Sequence, residues 1–247
     1  MSKTGKLIFS LDVLVYPLLF VLSLWLVFWF EIRFGVNLNR YGIYPKHAEG
    51  LIGILSGPFI HSGLEHLFNN SVPLFVLSMA LFYFYRSIRW RVMIIGLLLT
   101  GLITWLIGRP AMHIGASGVV YMLTSFLFFK GAFSRHYRLM ALALVVVFLY
   151  GGLLWYLFPI DPKISWEGHV SGFGVGMLLA LLLRPKKPSE PIYAWESPEY
   201  DPEQDEFMRQ FDEDGNFIGD QQSDPDSDAD KQQVKIIYRI RTKEDDL

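Results

Sequence analysis

Six apolar segments, at about residues 11–30, 63–85, 92–107, 114–129, 139–158 and 170–183, constrain this chain more than any other feature of its sequence. The first, Leu11 to Phe30, is about 20 residues long and reaches across roughly 30 Å of hydrocarbon as a helix. Inside a bilayer no water is present to satisfy backbone N–H and C=O groups, so each segment has to be helical. Lys3 and Lys6 precede the first segment as they would in a secretory leader. Its length is that of a span, however, and no small-residue cleavage site follows, so it reads as a retained helix.

Charge gives these helices a direction. Basic clusters at Lys3 and Lys6, at Arg86, Arg89 and Arg91, at Lys130, Arg135 and Arg138, and at Arg184, Lys186 and Lys187 fall on alternate connections. That is the pattern of the positive-inside rule, which puts both termini in the cytoplasm and the loops near 31–62, 108–113 and 159–168 on the outer face. The net charge of −2 hides a second asymmetry: residues 1–187 carry 6 acids, whereas the last 60 residues carry 18 of the 24. The expected architecture is therefore an all-α membrane protein, with a six-helix domain over 1–187 and an acidic cytoplasmic tail over 188–247. Low hydrophobicity and like charge predict that most of the tail is disordered. Within it, Gln210–Phe217 reads as a turn flanked by short strands and Val234–Thr242 as an edge strand, together a small β element. Asp212 to Gly215 is similar to half of a calcium loop, but the remaining ligands are missing and a plain turn fits better.

The chemistry-bearing residues gather where the second, fourth and sixth segments begin. His61, His66, Asn69 and Asn70 mark the second, His113 and Ser117 the fourth, and His169 the sixth. Polar groups at such depth are costly unless they face a bundle interior or a water cavity. Taken alone, Gly115-Ala116-Ser117-Gly118 fits a small-residue packing face better than a catalytic one. A serine at a recessed helix N-terminus does lie near unpaired amides and the positive end of the helix dipole, but its hydroxyl needs a base to become a nucleophile. His169 is the candidate base, with an ordinary pKa of about 6.5 that suits proton transfer near neutrality. Gly172 and Gly176, four apart, clear one helix face for a neighbouring helix. Tyr121 follows Ser117 by one turn, where its ring reaches the imidazole. No buried Asp is available as a third member, so the expectation is a Ser-His dyad. His66 and Asn70, four apart on one face, offer two donors aimed at one point, an oxyanion hole.

Other chemistries fit less well. The absence of cysteine excludes disulfides, thiolate nucleophiles and Cys-based zinc sites. A metal site at His61, Glu65 and His66 fails on spacing, since neither zincin pattern occurs. Apart from Glu65, the spans lack the acids of a proton relay, and no inverted repeat is evident, which argues against a transporter.

Taken together, His61, His66 and Asn70, then Gly115, Ser117, Gly118 and Tyr121, then Gly168, His169, Gly172 and Gly176 resemble the rhomboid family of intramembrane serine proteases over roughly residues 10–185. The resemblance implies a six-helix bundle with a water-filled cavity open to the outer face. It also implies Ser117 as nucleophile, His169 as base, and His66, Asn70 and the Ser117 amide as oxyanion donors, with Tyr121 supporting the base. Its substrates would be membrane-anchored proteins cut in or next to their transmembrane segments. The implied partners are such substrates and the lipid bilayer, with no cofactor, metal or nucleic acid. Six spans without an added seventh helix or a transit peptide point to a bacterial inner membrane as the expected location. One departure is visible: many relatives carry a Trp-Arg pair in the first outer loop, where this chain has Gly50-Leu51-Ile52-Gly53. How that loop packs is therefore left open.

Overall fold

The structure, a computed structural model, describes residues 9–134, 136–161, 164–185, 199–212 and 214–218. The chain divides into two compact units, Met1–Glu190 and Pro191–Leu247. Among the described residues the first unit is all helical, with helices α1 (Leu11–Phe34), α2 (Gly53–Ser56), α3 (Leu64–Phe84), α4 (Arg89–Ile107), α5 (Ser117–Ala132), α6 (Tyr137–Tyr150) and α7 (Trp166–Leu182). The helix α2 is a single turn, so six long helices correspond to the six apolar segments. Four of them are long and apolar enough to cross a bilayer outright: α1, α3, α4 and α6 with its 3-10 continuation to Leu157. Pro17 and Pro73 lie inside α1 and α3, where a lipid-embedded helix has no competing water and neighbouring groups re-satisfy the backbone.

The bundle is built around α5. Val119, Val120, Tyr121, Met122, Leu123, Ser125, Phe126 and Leu127 are all buried, so this helix hides nearly its whole circumference. It packs against α7, α6, α3 and α4, while α1 lies against α3. The outer helices expose apolar side chains instead. Leu144 and Phe148 of α6 are 71% and 88% exposed, as lipid-facing residues should be. Two polar anchors tie helix ends: Asp12 pairs with Arg86 and Arg89, and Lys130 Nζ donates to the carbonyls of Ala180 and Leu183 where α7 ends.

Helix α5 has 16 residues, about 24 Å, and starts at Ser117 rather than at Ile114 as the apolar pattern suggests. The cause is Gly115, whose φ of +101° cannot continue into a helix and whose N–H donates to Gly57 O at 2.9 Å. Just before it, His113 exchanges two backbone hydrogen bonds of 2.9 Å with Ile43. The connection from 35 to 63 is a compact series of short 3-10 turns around α2. Its packing depends on Gly50 and Gly53, the two glycines of the stretch that departs from the family pattern. A Cβ on Gly50 would come within 2.0 Å of Tyr44 O, and one on Gly53 within 2.2 Å of the Gly42 and Ile43 backbone. Backbone lies directly on backbone there, next to Ile43, whose main chain pairs with His113.

In the second unit, the described residues 199–212 and 214–218 include two 3-10 turns, Pro202–Gln204 and Met208–Gln210, and an isolated antiparallel bridge between Phe211 and Phe217. The Asp212 carboxylate accepts from the N–H groups of Asp214 and Asn216 and from Asn216 Nδ2, which holds its carboxyl below the usual carboxylate range. Its oxygens serve the turn itself. The expected partner strand, Val234–Thr242, lies outside the described residues, as do residues 186–198 and 219–247.

Candidate functional site

The residues singled out in the sequence are brought together at one end of the bundle. Of these, Ser117, Tyr121, His66, Asn70 and His169 line a cavity of about 910 Å³ walled by α3, α5, the start of α7 and the 3-10 segment Gly151–Leu157, whereas His61, Gly115, Gly118, Gly172 and Gly176 lie outside its lining. Ser117 is the first residue of α5, and His169 lies in the first turn of α7 with 6% exposure. Ser117 Oγ and His169 Nε2 are 2.9 Å apart.

This separation follows from how closely α5 and α7 approach. A Cβ on Gly172 would lie 2.0 Å from Gly118 O, and one on Gly176 would lie 2.1 Å from Met122 O. Gly118 returns the contact, with Gly168 O at 3.2 Å from a would-be Cβ. The two backbones touch, and the side chains at the head of each helix are thereby set within hydrogen-bond reach.

The imidazole is held on its other edge and on its face. His169 Nδ1 is 2.9 Å from Tyr156 O, and a carbonyl can only accept, so Nδ1 carries the proton and Nε2 is free to accept from the Ser117 hydroxyl. The Tyr121 ring stacks on the imidazole with centroids 4.1 Å apart and planes at 10°, and its hydroxyl donates to Leu153 O at 2.6 Å. The carbonyls of Leu153 and Tyr156 are a part of the site that sequence reasoning missed. Main-chain acceptors carry no residue signature.

On the opposite side, the first hydrogen bond of α5 runs from Val120 N to Ala116 O. The N–H groups of Ser117, Gly118 and Val119 therefore have no partner within the helix. His66 and Asn70 lie against Gly115, with would-be Cβ distances of 2.7 Å to His66 Nε2 and 3.6 Å to Asn70 Nδ2. Asn70 is buried and its Nδ2 donates to His66 O at 3.0 Å, while His66 Nδ1 is 3.1 Å from Ser62 Oγ. His61 sits behind them, its ring edge-on to His66 with centroids 5.0 Å apart. Burial, reinforced by the neighbouring His66, pushes His61 down to about 4, so it is neutral. It accepts the Ala116 N–H on Nε2 at 3.4 Å and donates from Nδ1 to Phe59 O at 3.3 Å. Glu65 and Asn69 are exposed residues of the first turns of α3.

Two further polar residues were not legible from spacing. Glu167, only 2% exposed, faces Arg109, and Ser165 bonds to His113. Among the described residues no three His, Asp or Glu side chains converge as metal ligands do.

Comparison with known proteins gives a consistent result. The Rhomboid domain matches residues 48–186. The chain is 38% identical over 177 residues to uncharacterized protein Rv1337 of Mycobacterium tuberculosis, covering 67% of this chain and 73% of that one, and equally to uncharacterized protein Mb1372 of Mycobacterium bovis. Uncharacterized protein ML1171 of Mycobacterium leprae is 33% identical over 163 residues, covering 60% of this chain and 62% of its own.

Proposed function

The chain belongs to the Rhomboid family of intramembrane proteases and is an integral membrane protein, and on that premise we propose that it is a serine endopeptidase working through a Ser117–His169 dyad. The observation that carries this reading is the 2.9 Å contact of Ser117 Oγ with His169 Nε2, with Nδ1 occupied by Tyr156 O. Ser117 Oγ attacks the substrate carbonyl while His169 Nε2 takes its proton. The imidazolium formed keeps its Nδ1–H on the Tyr156 carbonyl, which takes the orienting part that a carboxylate plays in a triad.

Negative charge then grows on the former carbonyl oxygen. The unpaired amides at the head of α5 and the donors of His66 and Asn70 stabilise it. With the Ser62 hydroxyl donating to His66 Nδ1, the proton of the neutral ring resides on Nε2, on the Gly115 side. His169 next gives its proton to the leaving amine, and water in the cavity hydrolyses the acyl-enzyme, returning Ser117. The exposed apolar walls of the bundle suit membrane-anchored substrates cut in or beside their transmembrane segments. The alternation of basic clusters supports a topology with both termini in the cytoplasm and the cavity opening to the outer face. The mycobacterial relatives support a bacterial inner membrane.

The test is covalent labelling of the detergent-solubilised protein with a fluorophosphonate. The wild type should label, and both Ser117→Ala and His169→Ala should not. Equal labelling of Ser117→Ala and wild type would show that the reactive serine is another residue. A folded wild type that neither labels nor cleaves a transmembrane substrate would make the chain a non-catalytic binder of client helices.

A further inference from the structure

We propose that Arg109 and Glu167 are positioning residues, members of a closed hydrogen-bond ring that sets His169 against Ser117; the inference rests on the catalytic reading above. The ring can be followed atom by atom. Gly168 N–H donates to Ser165 Oγ at 3.4 Å, and the Ser165 hydroxyl donates to His113 Nδ1. His113 Nε2–H donates to Arg109 O at 3.1 Å, and Arg109 N–H donates to Glu167 Oε1 at 3.2 Å. Glu167 is covalently joined to Gly168, which closes the circuit. All four bonds run the same way round, so each group's donor and acceptor roles are fixed by its neighbours.

The guanidinium reinforces the closure. Arg109 Nη2 donates to Ile164 O at 2.8 Å, and Nη1 lies 3.5 Å from Glu167 Oε2, which has no hydrogen bond of its own. A carboxylate buried to 2% exposure with a cation beside it has a single favourable place, and loss of the Arg109 side chain leaves that carboxylate without its counter-charge. The ring joins the α4–α5 connection to the first turn of α7. His113 is four residues before Ser117, and Glu167 is two before His169. His113 also pairs through its backbone with Ile43, so the ring is anchored to the first outer connection as well. Residues 52 to 58 apart in sequence thus hold the two ends that carry the proposed nucleophile and base.

A merely structural role would lower the folded fraction and leave each folded molecule as reactive as before. Fluorophosphonate labelling of the full chain, saturated in probe and normalised to folded protein, separates the two. Glu167→Ala should lower the maximal labelling rate about 10- to 100-fold, with little change in the probe concentration for half-saturation, as expected for misplaced reacting groups. Arg109→Ala should behave alike, and Arg109→Lys, which keeps a cation opposite the carboxylate, should recover much of the loss. Should Glu167→Ala not fold, Ser165→Ala removes one hydroxyl from the ring and must by itself slow labelling several-fold. Wild-type rates per folded molecule in Glu167→Ala, or in Ser165→Ala where that variant stands in, would overturn the proposal. A folded wild type that neither labels nor cleaves a transmembrane substrate, or a Ser117→Ala variant that labels as wild type does, would overturn the dyad reading and this inference with it.

Discussion

Gly172→Ala is the sharpest perturbation the structure offers. The added Cβ would sit 2.0 Å from Gly118 O and 3.0 Å from Gly118 C, against an ordinary contact of 3.4 Å or more. These are main-chain atoms, as is the next neighbour, Met122 N at 3.2 Å, and none can swing away, so α5 and α7 have to part by about 1.4 Å at that crossing. Gly118 adjoins Ser117, and Gly172 lies one turn along the same face from His169. Passed on to the 2.9 Å contact of Ser117 Oγ with His169 Nε2, that shift takes the pair beyond hydrogen-bond reach. A displacement of this size should cost on the order of 100-fold in rate. The assay is cleavage of a fluorescently tagged transmembrane segment in proteoliposomes, normalised to folded enzyme. Gly174→Ala is the matched control: it lies on the same helix, and its Cβ would meet nothing within 4 Å. Near-wild-type cleavage by Gly172→Ala, or an equal loss in Gly174→Ala, would refute the reasoning.

Two other expectations concern the opposite wall. Asn70→Ala should lower kcat by about 10²- to 10³-fold, the usual cost of one oxyanion donor, and near-normal cleavage by both Asn70→Ala and His66→Ala would remove them from that role. His61 provides a test against pH. Its pKa falls from 6.5 to about 4 on folding, so its contribution to stability is complete above about pH 6.5 and is lost as the pH falls toward about 4. The shift corresponds to roughly 3 kcal/mol at most. His61→Gln should therefore show a flatter loss of thermal stability than wild type across that window, and parallel curves would refute the assignment.

The apolar segments were legible in the sequence because a bilayer leaves a buried chain one backbone solution, and the long helices follow them closely. The start of α5 was not, since apolarity cannot distinguish Ile114 in an extended stretch from Ile114 in a helix. Only the positive φ of Gly115 separates the two. The residues Ser117, His169, His66, Asn70 and Tyr121 could be named from type and spacing, and the structure brings them around one cavity. What holds them was hidden. Tyr156 and Leu153 act through carbonyls that every residue possesses. Glu167 and Arg109 are common charged residues near two different helix ends, and only tertiary packing puts them together. The glycines at 172 and 176 announced a close neighbour without saying which helix it was.

The contact of α5 with α7 has a mechanical consequence. Where two main chains meet with no side chain between them, there is no compliant layer to absorb sliding or tilting. The pair behaves as one stiff beam with Ser117 and His169 at its tip. Any widening of the cavity therefore falls to the walls joined through side chains, α3 and the segment after α6. The second of these carries Tyr156, so the wall that yields also bears the carbonyl that accepts from His169 Nδ1.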